Sequence, residues 1–264
     1  MNINKNYKSL FKYIIILTLL ITTSQAQQFK YRQYMNVKNF YSSITQDVIK
    51  LSVKYKTPPA VILAIAGLES GYGSGYVSQI TGNIMSLGAN KNDIQLPPLH
   101  IPYCKTDKNK KALYDPIDQK SCNNLVWKQR PESLKKDYRP TPFSGTTKNL
   151  EFFKYNQEEF KKAKLQNIED FLTKWIRKNH KYAPFRETKV WLNEKVLNEG
   201  IKTLFTLETN LEFASKIGGR DNSFNYRETW PKKVKYILTK TGLNELCNVM
   251  YYDKLPFKKA WVQQ

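Results

Sequence analysis

A single carboxylate closes the most apolar stretch of the chain, at Glu69 in "AIAGLESGYGSGY", residues 64–76. A carboxyl group that is partly withdrawn from water has a raised pKa, and the negative end of a helix shifts the pKa in the same direction. Such a group keeps its proton near neutral pH and donates it to a leaving oxygen. The pattern therefore indicates a general acid. The alternative is that Glu69 caps the helix end or pairs with a basic neighbour.

Glycines and tyrosines alternate directly after this acid. The glycines let the backbone turn away and leave room for a bulky substrate. The expected sugar-stacking or cleft-lining aromatic residues are Tyr72, Tyr76, Tyr226 and Trp230, with core packing the favoured role for Trp230. A helix precedes the glycines and the third glycine is misplaced, so a dinucleotide fingerprint is excluded. A nucleophile elbow is excluded because neither Ser70 nor Ser74 is centred between spaced glycines after a strand.

The stretch "AIAGLESGYGSG" resembles the helix-end motif "A-x-x-E-S-G-W-G" of bacterial glucosaminidases, glycoside hydrolase family seventy-three, in which the glutamate is the catalytic acid. Further segments, in the expected order, resemble the Bax-like branch: "GNIMSLGA", "CNNLVWKQRPES", "NLEFFKYN", "NIEDFLTKWIRKNHKYAPFRE" and "YRETWPKKVKYILTKTGL". The resemblance covers about residues 40–245. The chain departs from the family at 85–87, where Met-Ser-Leu replaces an aromatic-Gly-Ile segment, so the shape of the cleft stays open.

The resemblance implies a mainly α (α+β) fold, with a lysozyme-like helical domain and a small β-hairpin lobe over the cleft. It implies hydrolysis of the β-1,4 bond after N-acetylglucosamine in peptidoglycan, as in an endo-beta-N-acetylglucosaminidase. Glu69 takes the general acid position, and Asn83 and Tyr226 fall on residues of the substrate cleft. Cys104 and Cys122 lie near a cysteine pair of Bax-like members. No cofactor is implied.

A glycosidase usually needs a second carboxyl group. Glu132 and Glu151 flank the expected hairpin and are the first two candidates, and Asp137 is a third. The 2-acetamido group of the substrate can replace a protein nucleophile in substrate-assisted enzymes. The sequence leaves these alternatives open.

Apolar periodicity predicts the elements that must hold these residues. Helices are expected at about 36–55, 58–70, 157–180, 188–208, 209–217 and 230–241. Strands are expected near Leu125–Arg130 and Leu150–Tyr155, where proline and polar residues interrupt the helical pattern. The whole forms one domain over residues 27–264, with its core at about 36–245 and a C-terminal tail.

The first 26 residues have the pattern of a secretory signal. Three lysines precede a short apolar run, and Ser24-Gln25-Ala26 forms a small-x-small cleavage site. Export to the periplasm or the medium is expected, with no membrane span left after cleavage. Removing the three lysines lowers the formal charge from +21 to +18. A protein this basic is attracted to anionic surfaces such as the carboxylates of peptidoglycan peptides.

The chain has three cysteines, and an oxidising compartment favours pairing of two. Cys104 and Cys122 flank a polar, lysine-rich loop and are the predicted pair, which leaves Cys247 free. With two histidines and no Cys-x-x-Cys, no protein metal site is predicted.

Three other functions remain open. The first is a lytic transglycosylase of the same fold class, although "GYGSG" after the acid fits that class less well. The second is a catalytically inactive wall-binding protein, and the third is a nucleic-acid binder. Charge alone suggests the last, because no nucleic-acid-reading module is recognisable.

Overall fold

The computed structural model describes residues 29–88, 99–105, 113, 116–129, 140 and 151–263. Within them, a 3₁₀ turn at Lys30–Gln33 precedes the main elements. In chain order these are α1 Met35–Lys54, α2 Pro59–Ser70, α3 Tyr76–Thr81, β1 His100–Cys104, α4 Pro116–Ser121, β2 Leu125–Gln129, α5 Phe152–Tyr155, α6 Gln157–Asp170, α7 Ala183–Glu199, α8 Leu207–Ile217, α9 Trp230–Thr241, α10 Leu243–Tyr252 and α11 Phe257–Val262. The expected mainly α fold with one antiparallel hairpin is confirmed.

Helix α2 is the centre of the described structure. Pro59 opens it in the first turn, where a missing N–H costs nothing. The N–H of Val61, free at a helix start, donates to Asn210 Oδ1 at 2.8 Å. All residues from Pro59 to Gly67 are buried, and the helix packs against α1, α8, α9 and α10. A helix that is apolar on every face can only be buried in this way.

Helix α1 carries the amphipathic pattern expected from its sequence. Val37, Tyr41, Ile44 and Val48 are buried at helical spacing and pack into the same core as α2. The alternate face is polar, and Asp47 pairs there with Lys161 of α6 at 3.0 Å. The start and end of α1 and α2 agree with the sequence prediction to within one residue.

The observed hairpin contains one of the two predicted strands, and its other strand was not predicted. β2 falls on the predicted strand at 125–130, but its partner is β1, with Cys104 opposite Leu125. The expected strand at Leu150–Tyr155 is wrong, because residues 152–155 form helix α5. Phe153 there is buried against Phe160, the two rings stacking at 5.0 Å, so tertiary packing overrides the β propensity of the aromatic residues.

A disulfide bond joins Cys104 to Cys122, and Cys247 is buried and unpaired, as predicted. The bond links the end of β1 to the residues before β2. The hairpin then packs on α3 through Leu99 and Trp127, whose ring lies 5.7 Å from that of Tyr76.

The long helix predicted at 188–208 is also wrong at both ends. Helix α7 starts five residues earlier, at Ala183, with Pro184 in its first turn. It ends at Gly200, where φ is +78°, a conformation that glycine adopts readily. A 3₁₀ segment, Ile201–Phe205, then leads into α8.

The core extends beyond residue 245, through α10 and α11. Leu246, Cys247 and Trp261 are buried in the cluster that contains α2. The guanidinium group of Arg32 donates to carbonyls at two helix ends, those of Thr241, Gly242, Ala260 and Trp261. These bonds satisfy carbonyls that have no partner inside their helices, and they fasten the N-terminal turn to both.

The expected signal at residues 1–26 lies outside the described residues. Within the part of the chain that the structure describes, no helix has the length and apolar character needed to cross a bilayer.

Candidate active site

Glu69 lies in the last turn of α2 with its side chain partly exposed. The indole N–H of Trp230 donates to Glu69 Oε1 at 2.8 Å. A carboxyl oxygen accepts this bond whether the group is neutral or ionised, so the bond orients Glu69 without fixing the position of its proton. The indole of Trp230 thus holds one oxygen of Glu69 in place.

Trp230 opens helix α9 and is only 3% exposed. Its ring lies against Gly218, where a Cβ atom would come within 2.1 Å of Trp230 Cε3. Phe224 covers it from another side, with ring centroids 5.4 Å apart. Core packing, the favoured role for Trp230, therefore agrees with its burial. The hydrogen bond to Glu69 is a role that the sequence did not indicate, since 161 residues separate the two side chains.

The backbone after Glu69 is left-handed for three successive residues. Gly71, Tyr72 and Gly73 have φ of +56°, +55° and +76°. The hydroxyl of Ser70 donates to the Ala66 carbonyl at 2.6 Å and accepts from the Gly73 N–H at 2.9 Å. The chain therefore turns away from the acid sharply, as expected from the glycines, and the Ser70 side chain contributes two of the hydrogen bonds that hold the turn.

Tyr72 is the residue of this turn for which the left-handed conformation is costly, by about 1–2 kcal/mol. Its half-buried ring lies in a cluster of aromatic rings, 6.2 Å from Tyr31 and 6.0 Å from Tyr41. Gly67 permits this packing, because a Cβ atom there would meet Tyr41 Oη and the Tyr72 ring. Burial raises the pKa of Tyr72, so the phenol is neutral and is a hydrogen-bond donor.

The other sequence-predicted substrate residues have different settings. Tyr76 is buried between α3 and the hairpin, and burial raises its pKa. Asn83 is also buried: its amide donates to the Leu87 carbonyl, and its Oδ1 accepts from the Leu87 N–H and from Asn167. Tyr226 is 67% exposed on the connector before α9. Contacts of these three residues with substrate remain predictions. The observed hydrogen bonds between Asn83 and Leu87 close the 83–87 loop.

The candidates for the second carboxyl group fall in two classes. Glu132 and Asp137 lie outside the described residues. Glu151 precedes α5, has a 67% exposed side chain and pairs with Lys154 at 3.2 Å. Such an exposed pair is weak, and it leaves the carboxylate accessible to solvent.

Among the described residues, no cluster of three or more histidine, cysteine or acidic side chains is arranged to hold a metal ion. The chemistry that the carboxyl group of Glu69 can itself supply is proton transfer. An oriented, half-buried acid at the surface end of a rigid helix can deliver a proton to a bound leaving group.

No protein-family model matches the chain, and no curated protein matches it in sequence. Among solved structures, the chain is similar to the catalytic domain of the autolysin Auto from Listeria monocytogenes. The match covers 80% of this chain and 87% of that chain, at 14% identity and a TM-score of 0.41. A likeness of this degree identifies neither a family nor an activity.

Proposed function

We propose that this protein is an exported peptidoglycan hydrolase that cleaves the β-1,4 bond after N-acetylglucosamine, with Glu69 as general acid. The observation that carries the proposal is the hydrogen bond from Trp230 to Glu69 Oε1. It fixes the orientation of an acid in the last turn of a helix that is buried from Pro59 to Gly67. The resemblance of residues 64–75 to the glucosaminidase motif agrees with that role.

In this mechanism, the carboxyl group of Glu69 gives its proton to the glycosidic oxygen as the bond between C1 and that oxygen breaks. The departing sugar leaves as an alcohol, and positive charge develops at C1. Either a second carboxylate or the 2-acetamido group of the sugar stabilises that charge, and water completes the hydrolysis. Glu69 is then ionised, and it regains a proton before the next cycle.

Two properties of the whole chain support the substrate and the compartment. The disulfide bond between Cys104 and Cys122 is of a kind that persists in oxidising compartments. The formal charge, +21 for the whole chain and +18 without the expected signal, attracts the protein to the carboxylates of peptidoglycan, an attraction that salt screens.

The test compares wild-type protein with Glu69→Gln on purified peptidoglycan. The amide keeps the size of the side chain and an oxygen for Trp230, but it cannot donate an acidic proton, so the rate should fall by about 10²–10⁴-fold. Glu158→Gln, an exposed glutamate in the first turn of α6, is the matched control and should retain activity. Full activity in folded Glu69→Gln protein would refute the mechanism.

Mass spectrometry of the released fragments separates the proposal from its alternatives. A reducing-end N-acetylglucosamine is expected. An anhydro sugar end would instead identify a lytic transglycosylase, and binding without any cleavage would identify an inactive wall-binding protein. The second acid is sought with Glu132→Gln and Glu151→Gln. Loss of activity in one of them identifies it, and activity in both favours assistance by the substrate.

A further inference from the structure

A groove lies along the first half of helix α9. Its volume is about 340 Å³, and its walls come from the 3₁₀ turn at Lys30–Gln33, the end of α2 and the start of α9. Leu68, which lines it, directly precedes Glu69, and Thr229 directly precedes Trp230. Because consecutive Cα atoms are about 3.8 Å apart, the wall of the groove lies one residue along the chain from each partner of the hydrogen bond that holds the acid.

The lining of this groove is apolar and aromatic within, and cationic at the rim. Leu68 and Ile237 supply aliphatic surface, and Tyr31 and Tyr236 form an edge-to-face pair with ring centroids 5.8 Å apart. Lys232 and Lys233 are both exposed on the first turns of α9. Neither lysine forms an ion pair with any residue in the described ranges. The groove therefore carries two positive charges that no described acidic side chain balances.

We infer that this groove, which we call the α9 groove, binds the carboxylate-bearing peptide arm of the glycan strand whose sugar lies at Glu69. The inference rests on the proposed function. Lysine ammonium groups pair with carboxylates, and the tyrosine and aliphatic surface packs against the alkyl groups that lie between the carboxylates of the peptide. A pocket of this size is at the small end for ligand sites, about 300–1,000 Å³, and fits a few residues of peptide.

A phosphate polymer fits the same lysines less well than a peptide. Its backbone offers charge but little apolar surface to cover Leu68, Ile237 and the two tyrosines. A bound phosphate polymer would leave the apolar part of the groove in contact with water, whereas a peptide arm covers both the apolar and the charged parts of the groove. The α9 groove would thereby make the enzyme prefer peptide-bearing glycan to bare sugar chains.

The experiment uses two forms of one substrate, soluble peptidoglycan fragments with free peptide carboxylates and the same fragments with those carboxylates converted to amides. Wild-type protein should show a KM about fivefold higher on the amidated form, because two exposed charge contacts are lost. Lys232→Gln/Lys233→Gln should raise KM about as much on the free form, leave kcat unchanged, and remove the difference between the two substrates.

The matched control is Lys235→Gln/Lys240→Gln. It removes the same charge from exposed positions of the same helix that do not line the groove. This control should retain the preference for free carboxylates. If both double variants lose it equally, net charge rather than the α9 groove is responsible, and the inference is overturned.

A binding measurement keeps the inference separate from the proposed function. The free peptide released from peptidoglycan by an amidase is titrated into full-length protein by calorimetry, with its amidated form as comparison. Binding that needs both the carboxylates and Lys232 and Lys233 supports the groove even where no glycan is hydrolysed. Hydrolysis of both substrates alike, with no peptide binding, overturns the groove and leaves the hydrolase intact. Lysine-dependent binding of polyphosphate without peptide binding would also overturn it.

Discussion

At the scale of single residues, the proposed chemistry depends on one carboxyl group and one indole. Glu69 is mobile in principle, because a glutamate side chain has three rotatable bonds, and a general acid must hold its geometry to act. Trp230 restricts it through one hydrogen bond at 2.8 Å, and the ring itself is buried and cannot swing away. The acid is therefore positioned by a residue that never needs to touch substrate.

This arrangement predicts the effect of Trp230→Phe. Phenylalanine keeps an aromatic ring beside Phe224 but is smaller and has no N–H, so Glu69 loses its donor and most of the buried aromatic contact is kept. A hydrogen bond to a group that ionises during the reaction contributes about 1.5–3 kcal/mol, so kcat should fall by about tenfold or more. KM should change little, because the sugar contacts are untouched, and steady-state kinetics on peptidoglycan fragments measure both.

The control for that experiment is Trp191→Phe, which makes the same chemical change on α7, where the indole lies under Lys216. It should leave kcat at the wild-type value. Equal losses in both variants would show a general effect of removing an indole and would contradict the positioning role of Trp230.

At the scale of elements, the connection between α8 and α9 determines the position of Trp230. Helix α8 ends at Ile217, and the φ of −140° at the following Gly218 is open to any residue, so the backbone does not require glycine there. The requirement is space, since the indole ring occupies the position of the missing side chain. The absence of a side chain at Gly218, directly after α8, thereby sets the position of the hydrogen-bond donor on α9.

Gly218→Ala is expected to reduce both stability and activity. The new Cβ atom would force the indole to move, at a cost of about 1–3 kcal/mol in the free energy of unfolding. The displaced ring would also release Glu69, so kcat should fall with stability. Urea denaturation and kinetics measure the two effects, and Ser215→Ala on the same helix should change stability by less than about 0.5 kcal/mol.

The double variant Gly218→Ala/Trp230→Phe tests the steric cause. Phenylalanine lacks the ring atoms that meet the new Cβ, so the alanine should cost less in this background than in wild type. Strictly additive losses in stability would mean that Gly218 acts through something other than the indole.

At the scale of the whole molecule, charge is the dominant property. The formal charge is +21, and some of the lysines are buried rather than solvated. Lys164 on α6 is 8% exposed, with its ammonium group near the Phe160 ring and bonded to Ser43. Burial, then the neighbouring Lys161, lowers the pKa of Lys164 to about 8. Burial likewise lowers the pKa of Lys189 on α7 to about 8.

These lowered pKa values give a signed prediction for stability against pH. A lysine in the unfolded chain keeps its proton to about pH 10.4, so between pH 8 and 10 the unfolded state binds more protons. Each of the two lysines therefore increases the free energy of unfolding as pH rises above 8, by at most about 1.4 kcal/mol per pH unit. Cys247 acts in the opposite direction, since burial raises its pKa and the unfolded thiol ionises first.

Because the cysteine term is common to both proteins, the comparison is between wild type and Lys164→Met. Methionine fills the same space without a charge, so the variant should be more stable than wild type at pH 7, and this advantage should shrink from pH 8 to 9.5. Urea unfolding over that range measures it. Lys162→Met, at an exposed lysine paired with Glu159, should show no such convergence, and a constant advantage for Lys164→Met would refute the buried-charge explanation.

Local pattern was enough to predict the parts of this protein that depend on neighbours in sequence. The apolar run and the glycines after Glu69 determine a buried helix, its end and the sharp turn, because these follow from periodicity and from φ angles that few residues adopt. The spacing of Val37, Tyr41 and Ile44 determines α1 in the same way. The pairing of Cys104 with Cys122 followed from the loop that they enclose.

Contacts between distant segments were decided only by the tertiary structure. Aromatic residues at 152–155 suit a strand or a helix, and burial of Phe153 against Phe160 selected the helix. The pairing of β1 with β2, the closure of two helix ends by Arg32, and the α9 groove each join residues far apart in sequence. The sequence alone indicated the acid, but its partner lies 161 residues away, and no periodicity or spacing encodes a contact that exists only once the core has packed.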